Sequence, residues 1–289
     1  AAFDSSKSGE LMTSGTQNGL AFNADGTYAY TCQGTLVYGF TLSTAYDIST
    51  AAQDGSYTVN LSAQATGLNS IIWNNDGTKF FVTNQVDPNG NVLEYSTANN
   101  PYQPQYASYT RSLGVTGRPR QLIFSPDGTK LFVASYDDYI NEFTLTTGFD
   151  LSTATLVSNV NPFTTNPSFQ AIQFNEDGSE LYLGSRGDAY VIKIPLTTSY
   201  SLAGYTTNSL VYADQTVLLD VSATHTNNLH HMLFADNGTK FYIVGASSTN
   251  RQIRYYTSGS GITIPTGSYN LAVTNASGQI DSAYWTDIN

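Results

Sequence analysis

Charge is scarce in this 289-residue chain: Asp, Glu, Lys and Arg together make 11% of it, against about 25% in ordinary globular domains. The surface must therefore be covered by Ser, Thr, Asn, Gln, Gly and Tyr, a neutral polar coat common on proteins that work outside cells. Lys and Arg number only 11 against 22 Asp and Glu, for a formal net charge of −11. No basic stripe exists, so nucleic acid is excluded as an expected partner, and so is an anionic membrane surface. No apolar run approaches the ~20 residues of a membrane span, so no membrane insertion is expected. Cysteine is nearly absent. Cys32 stands alone, which rules out an intrachain disulfide framework and marks that residue as a small buried hydrophobe. Phosphate-binding glycine loops, dinucleotide fingerprints and nucleophile motifs are missing. No cofactor is expected.

What the chain does have is one phrase written five times. Phe22-Asn-Ala-Asp-Gly-Thr, Trp73-Asn-Asn-Asp-Gly-Thr, Phe124-Ser-Pro-Asp-Gly-Thr, Phe174-Asn-Glu-Asp-Gly-Ser and Phe234-Ala-Asp-Asn-Gly-Thr place glycines at Gly26, Gly77, Gly128, Gly178 and Gly238, spaced 51, 51, 50 and 60 residues apart. A fixed period of this size marks a repeat architecture whose units bury their apolar faces against one another. Each unit opens with an apolar run, turns at Asp-Gly or Asn-Gly, and continues into a strand with an aromatic at one fixed place: Tyr30, Phe81, Phe132, Tyr182 or Tyr242. Gly supplies the positive φ of the turn, and Asp or Asn folds its side chain onto the turn backbone. A third strand follows, starting at Val37, Val92, Ile140, Val191 or Ile253, and then a Ser/Thr/Tyr-rich fourth segment.

Four short antiparallel strands in about 50 residues is the size of one β-propeller blade. The expected fold is an all-β, five-bladed β-propeller, with repeats at about 19–68, 69–119, 120–169, 170–229 and 230–257. An open solenoid of hairpins would leave raw sheet edges at its ends. Phe3-Asp-Ser-Ser resembles Tyr46-Asp-Ile-Ser and Phe149-Asp-Leu-Ser, which lead into fourth strands. The N-terminal strand is thus expected to complete the last blade and close the ring. Residues 258–289 lack the turn phrase and read as a C-terminal extension or the start of a further segment; a sixth, irregular blade built from them is the alternative.

A propeller works around its axis, where the first strand of each blade begins. The aligned residues there are Asn18, Asn69, Arg120, Gln170 and His230. All five are polar and none is acidic, which makes them the candidate ligand-binding ring for a sugar, a carboxylate or another small polar ligand. The same ring argues against glycoside cleavage, which needs paired carboxylates. No catalytic residue is assigned, and the turn aspartates Asp25, Asp76, Asp127 and Asp177 are read as geometry. His225, His230 and His231 form the only histidine cluster. Strand alternation should send His230 and His231 to opposite faces, so no metal site is assigned. Asp87-Pro-Asn-Gly-Asn91 lacks the remaining ligands of a calcium loop and reads as a turn. Tyr102, Tyr106, Tyr109, Tyr136, Tyr139, Tyr200 and Tyr205 lie in variable segments and are candidates for exposure.

Arg118-Pro-Arg-Gln-Leu-Ile-Phe-Ser-Pro-Asp-Gly-Thr-Lys-Leu-Phe-Val133 resembles the blade motif of YVTN/lactonase-like propeller repeats. Phe40-Thr-Leu-Ser-Thr-Ala-Tyr-Asp-Ile-Ser-Thr50 and Phe143-Thr-Leu-Thr-Thr-Gly-Phe-Asp-Leu-Ser-Thr153 resemble repeats of phage virion and tail-fibre-associated proteins. Together the two resemblances cover residues 19–257. They imply a propeller and a structural or adhesive role at a virion or extracellular surface, and they transfer no catalytic residue. The resulting expectation is a non-enzymatic module whose partner is a host-surface glycan or protein, or other virion or filament subunits. A structural filament subunit and a lactonase-like or glycoside-cleaving enzyme are the alternatives.

Overall fold

The computed structural model describes residues 2–12, 15–163, 168–187, 190–207, 209–210, 216–220, 229–236, 239–245 and 252–257. It is an all-β, five-bladed propeller. The chain opens with β1 (Ala2–Gly9). Blade one is β2 (Asn18–Phe22), β3 (Tyr28–Gln33), β4 (Leu36–Leu42) and β5 (Ala51–Asn60). Blade two is β6 (Leu68–Trp73), β7 (Lys79–Asn84), β8 (Asn91–Ser96) and β9 (Ser108–Gly114). Blade three is β10 (Pro119–Phe124), β11 (Lys130–Ser135), β12 (Ile140–Leu145) and β13 (Ala154–Val160). Blade four is β14 (Phe169–Phe174), β15 (Glu180–Ser185), β16 (Tyr190–Pro195) and β17 (Thr216–Asp220). Blade five is β18 (Leu229–Ala235), β19 (Lys240–Gly245) and β20 (Ile253–Thr257). Each blade is an antiparallel sheet in sequence order, and the last is completed by β1 on its outer edge, in the order β1-β20-β19-β18. The inner strands touch in the order β2, β6, β10, β14, β18, and β18 returns to β2.

Closure occurs as expected. Asp4 pairs across from Tyr255, as Asp54 pairs across from Gly39 in blade one. Asp4 Oδ1 accepts the Ser6 N–H at 2.9 Å, and Asp54 Oδ1 accepts the Ser56 N–H at 3.0 Å. Asp4 therefore matches Asp54, inside the outer strand, and not Asp47, which caps the short 3-10 turn before it. The two sites share an Asp-x-Ser hydrogen-bonded turn, which is why their sequences look alike.

The repeated phrase is a turn with three fasteners. Asp25, Asp76, Asp127 and Asp177 each accept the N–H of the residue two places on, at 2.9–3.0 Å. These bonds, led by those from Thr27, Thr78, Ser125 and Ser179 side chains, hold the four carboxyls below the usual range. Their role is geometric, as the repeat implies. The glycines have φ of 69–73°, a conformation only glycine adopts without strain. An aromatic ring then lies flat on each: a Cβ on Gly26, Gly77, Gly128 or Gly178 would sit 2.2–2.4 Å from a ring carbon of Tyr46, Tyr102, Phe149 or Tyr200. Each of these aromatics donates its N–H to the glycine carbonyl, at 2.8–3.1 Å. Tyr102 and Tyr200 are thus turn locks at a repeated position, not members of variable segments. The fifth turn glycine, Gly238, lies outside the described residues.

The blades are stapled by buried ions that the repeat hides. Glu94 is fully buried, pairs with Lys79 at 2.9 Å, and accepts the Leu151 N–H of the next blade at 3.0 Å. Glu142 does the same with Lys130 at 3.1 Å and Leu202 N–H at 2.8 Å. Glu94 and Glu142 face Phe81 and Phe132 across equivalent register positions, so they are one repeated site. In blade four the polarity is swapped, with Glu180 pairing with Lys193 at 2.9 Å. In blade one Gly39 stands at the Glu94 position, leaving room for Tyr57 to stack on Tyr28 at 4.5 Å between centroids. Cys32 is fully buried, and burial pushes its thiol well up.

Candidate functional site

Every inner strand begins with a register shift. The irregularities lie between Asn18 and Ala21, Leu68 and Ser70, Pro119 and Leu122, Phe169 and Ala171, and Leu229 and His231. A bulge adds a residue to one strand, breaks alternation and re-aims side chains. The five expected ring residues sit at these bulges. The alternation used to separate His230 from His231 therefore does not hold there; among the described residues, however, no group of three or more potential metal ligands forms. His225 lies outside the described residues.

The inner edges of the first strands would otherwise present unpaired backbone to the axis. Side chains of neighbouring blades take these groups up. Asn18 Nδ2 donates to the Leu68 carbonyl at 3.0 Å, and Asn69 Nδ2 donates to the Pro119 carbonyl at 2.9 Å. Arg120 Nη1 reaches back to Asn69 Oδ1 at 2.9 Å. The next residue along plugs the axis. Gln121 Nε2 donates to Met232 O at 2.7 Å, while its Oε1 accepts Met232 N–H at 3.0 Å and Ile172 N–H at 3.1 Å. The Gln121 amide thus pairs with the Met232 backbone as another peptide would. His231 Nε2 bonds Leu20 O at 3.0 Å. Below this plug lies a cavity of about 170 Å3, lined mainly by apolar side chains such as Ile72, Ile123 and Leu233, with Gln121 and His231 in its wall.

Above the plug, at the mouth, the polar residues are joined by a set at another fixed spacing. Gly34, Gln85, Tyr136 and Arg186 each stand eight residues after a turn glycine. Gln85, Tyr136 and Arg186 donate their N–H groups to Gly67, Arg118 and Ser168 carbonyls, at 2.7, 2.8 and 3.0 Å, just ahead of the ring positions. Gln85 Oε1 accepts from Asn69 Nδ2 at 3.2 Å. Tyr136 collects three guanidiniums about its ring, with Arg118, Arg120 and Arg186 at 4.2, 5.1 and 5.4 Å from the centroid. Arg186 Nη1 also donates to the Tyr136 hydroxyl at 2.8 Å.

The electrostatics follow from this crowding. Arg118 is paired with Asp137 at 2.7 Å, which holds the Asp137 carboxyl below the usual range. No described carboxylate forms an ion pair with Arg120. Burial, and then Arg186 and Arg118, push its pKa down to about 10. Burial, and then Arg120 and Arg186, push His230 down to about 3, so its imidazole is neutral at neutral pH. Gln170 is fully buried, and neither its amide oxygen nor its nitrogen has a hydrogen-bond partner. Asp138 is buried beside it, accepting the Phe169 N–H at 2.7 Å, and burial raises its pKa to about 6. Asn89 Oδ1 accepts the Gly117 N–H at 3.0 Å, so the Asp87–Asn91 loop fastens blade two to blade three. Of the tyrosines in variable segments, Tyr106 and Tyr109 are largely exposed, at 58% and 43%.

Of the expected ring residues, Asn69 and Arg120 are hydrogen-bonded to each other, His230 lies within electrostatic reach of Arg120, Asn18 bonds the neighbouring blade, and Gln170 is buried at the aligned position of blade four. Tyr136 is expected only as an exposed tyrosine of a variable segment, and Arg118 and Arg186 have no expected role, although the offset of eight residues points to Tyr136 and Arg186. No protein-family model matches the chain, and no curated protein matches it. The resemblance to YVTN/lactonase-like and tail-fibre repeats rests on the quoted motifs.

Proposed function

We propose that this propeller is a non-catalytic recognition module of an extracellular or virion surface, and that it binds a host-surface glycan at its axial mouth. The observation that carries the reading is Gln170, a fully buried amide with no partner, at the position of blade four that aligns with Asn18, Asn69, Arg120 and His230 of the other blades. An unpaired buried amide costs about 1–3 kcal/mol, and a ligand hydroxyl supplies what it lacks. The neutral polar composition favours an extracellular setting, and the tail-fibre-like repeat halves favour a virion. None of the five aligned residues is a carboxylate. Of the acids near the mouth, Asp137 is paired with Arg118 and Asp138 accepts the Phe169 N–H, while Glu94 and Glu142 are tied to Lys79 and Lys130 and to backbone N–H groups of the next blade.

A glycan array tests the reading. The protein should be retained by at least one glycan class, and Gln170→Leu should abolish retention while raising stability by about 1 kcal/mol, because an apolar side chain removes the unpaired amide. Retention of no glycan at all would overturn it. A second reading, assembly with other copies or subunits, is favoured by exposed apolar residues on outer strands: Leu156 at 50%, Val157 at 54% and Val217 at 48%. Concentration-dependent association that is lost in Val157→Thr would support that reading over the first.

A further inference from the structure

Three of the chain's six arginines meet at one end of the axis, in a protein whose net charge is −11. Gathering like charges in a partly desolvated place is unfavourable unless something compensates it. Asp137 compensates Arg118, and the Tyr136 ring offers its negative face to all three. Arg120 is different. It donates to the neutral Asn69 side chain, its Nε is buried without a partner, and no described carboxylate pairs with it. At the aligned positions of the next two blades stand the unpartnered amide of Gln170 and the half-buried imidazole of His230, which feels the Arg120 charge. The site is a guanidinium with donors to spare, flanked by neutral hydrogen-bonding groups.

We infer that the axial mouth binds a carboxylate carried on a sugar ring, with Arg120 taking the carboxylate and Gln170 and His230 the neighbouring hydroxyls. This deepens the glycan reading above and rests on it for the sugar, while the carboxylate follows from Arg120 alone. A guanidinium matches a planar carboxylate with two parallel N–H bonds. A single negative charge offsets the crowding of Arg120 by Arg118 and Arg186. The strongly negative chain as a whole disfavours polyanions.

The test uses the full chain and three probes: glucuronate, glucose and inorganic sulfate. Binding is read by calorimetry and by the amide resonances of Arg120 and Gln170. Glucuronate should saturate and shift both resonances, glucose should bind at least tenfold more weakly, and Arg120→Gln should weaken glucuronate at least tenfold. If Arg120→Gln does not fold, Tyr136→Phe, which frees Arg186 from the hydroxyl but keeps the ring, should weaken glucuronate severalfold. Glucose binding as well as glucuronate would overturn the carboxylate assignment and leave the glycan reading standing. Glucuronate binding with no polysaccharide retained would do the reverse. Equal saturation by sulfate, or no shift at Arg120 with any probe, would overturn the inference.

Discussion

The Gln121 amide is the most informative single group to remove. Gln121→Leu keeps nearly the same volume and deletes three hydrogen bonds, those to Met232 O, Met232 N–H and Ile172 N–H, at 2.7, 3.0 and 3.1 Å. All three backbone groups sit at the closed axis, where Gln121 is 2% exposed and Met232 and Ile172 are fully buried. A buried backbone group left unsatisfied costs about 1–3 kcal/mol. Three such losses, less the gain from burying an apolar side chain, give a destabilisation of about 3–4 kcal/mol. In a ring of this size that lowers Tm by roughly 6–16 °C, at about 2–4 °C per kcal/mol. Ser70→Ala is the control. Ser70 occupies the same place in blade two, fully buried, with a hydroxyl that has no partner. Its removal should leave Tm within about 2 °C or raise it slightly. Thermal unfolding of both variants by circular dichroism measures the contrast. A Gln121→Leu loss under about 1 kcal/mol, or equal losses in the two variants, would refute the account of the axis as edges satisfied by side chains.

Two further outcomes follow from the same physics. Gly77→Ala should destabilise by about 1–3 kcal/mol, because a φ of 71° is strained for alanine and its Cβ would press on the Tyr102 ring; Gly114→Ala, at a site with no neighbour within 4 Å and no positive φ, should cost less than about 1 kcal/mol, and urea unfolding compares them. Acidification should weaken the fold between pH 6.5 and about 3, where the unfolded chain protonates His230 and His231 but the folded chain, with both held at about 3, does not. Asp138 opposes this, since a pKa of about 6 in the fold favours the native state as pH falls from 6 towards the usual carboxyl value. Two imidazoles outweigh one carboxyl, so Tm at pH 5 should lie below Tm at pH 7, and Asp138→Asn should widen the gap. A Tm that rises on going from pH 7 to pH 5 would contradict the burial of the two histidines.

The blades were legible because the turn chemistry is repeated and local. Asp-Gly-Thr specifies a hairpin without help from elsewhere, and five copies at even spacing specify a ring. The same alignment picks out Asn18, Asn69, Arg120, Gln170 and His230 as equivalent positions, of which Asn69 and Arg120 are hydrogen-bonded to each other. The rest depended on interactions that do not repeat. The bulge under each ring residue leaves no mark in the residue types. The Tyr136 cluster draws Arg118, Arg120 and Arg186 from two blades at different strand positions. The Glu94 and Glu142 staples are disguised by the Glu180–Lys193 swap and by the Tyr28–Tyr57 stack, which solve the same packing problem with other chemistry. The likeness of Phe3-Asp-Ser-Ser to Tyr46-Asp-Ile-Ser marks a closing strand correctly, although the Asp-x-Ser turn serves two different positions in a blade.

The central functional claim is that the axial mouth, and not the blade rims, is the working surface. Retention on an immobilised neutral glycan that carries a single uronic acid, of the native chain, of Arg120→Gln, and of the rim variant Tyr106→Ala, tests it directly, with thermal unfolding to verify that each is folded. The account predicts that the rim variant is retained like the native chain and that Arg120→Gln is lost from the column. Retention of Arg120→Gln with loss of Tyr106→Ala would contradict it.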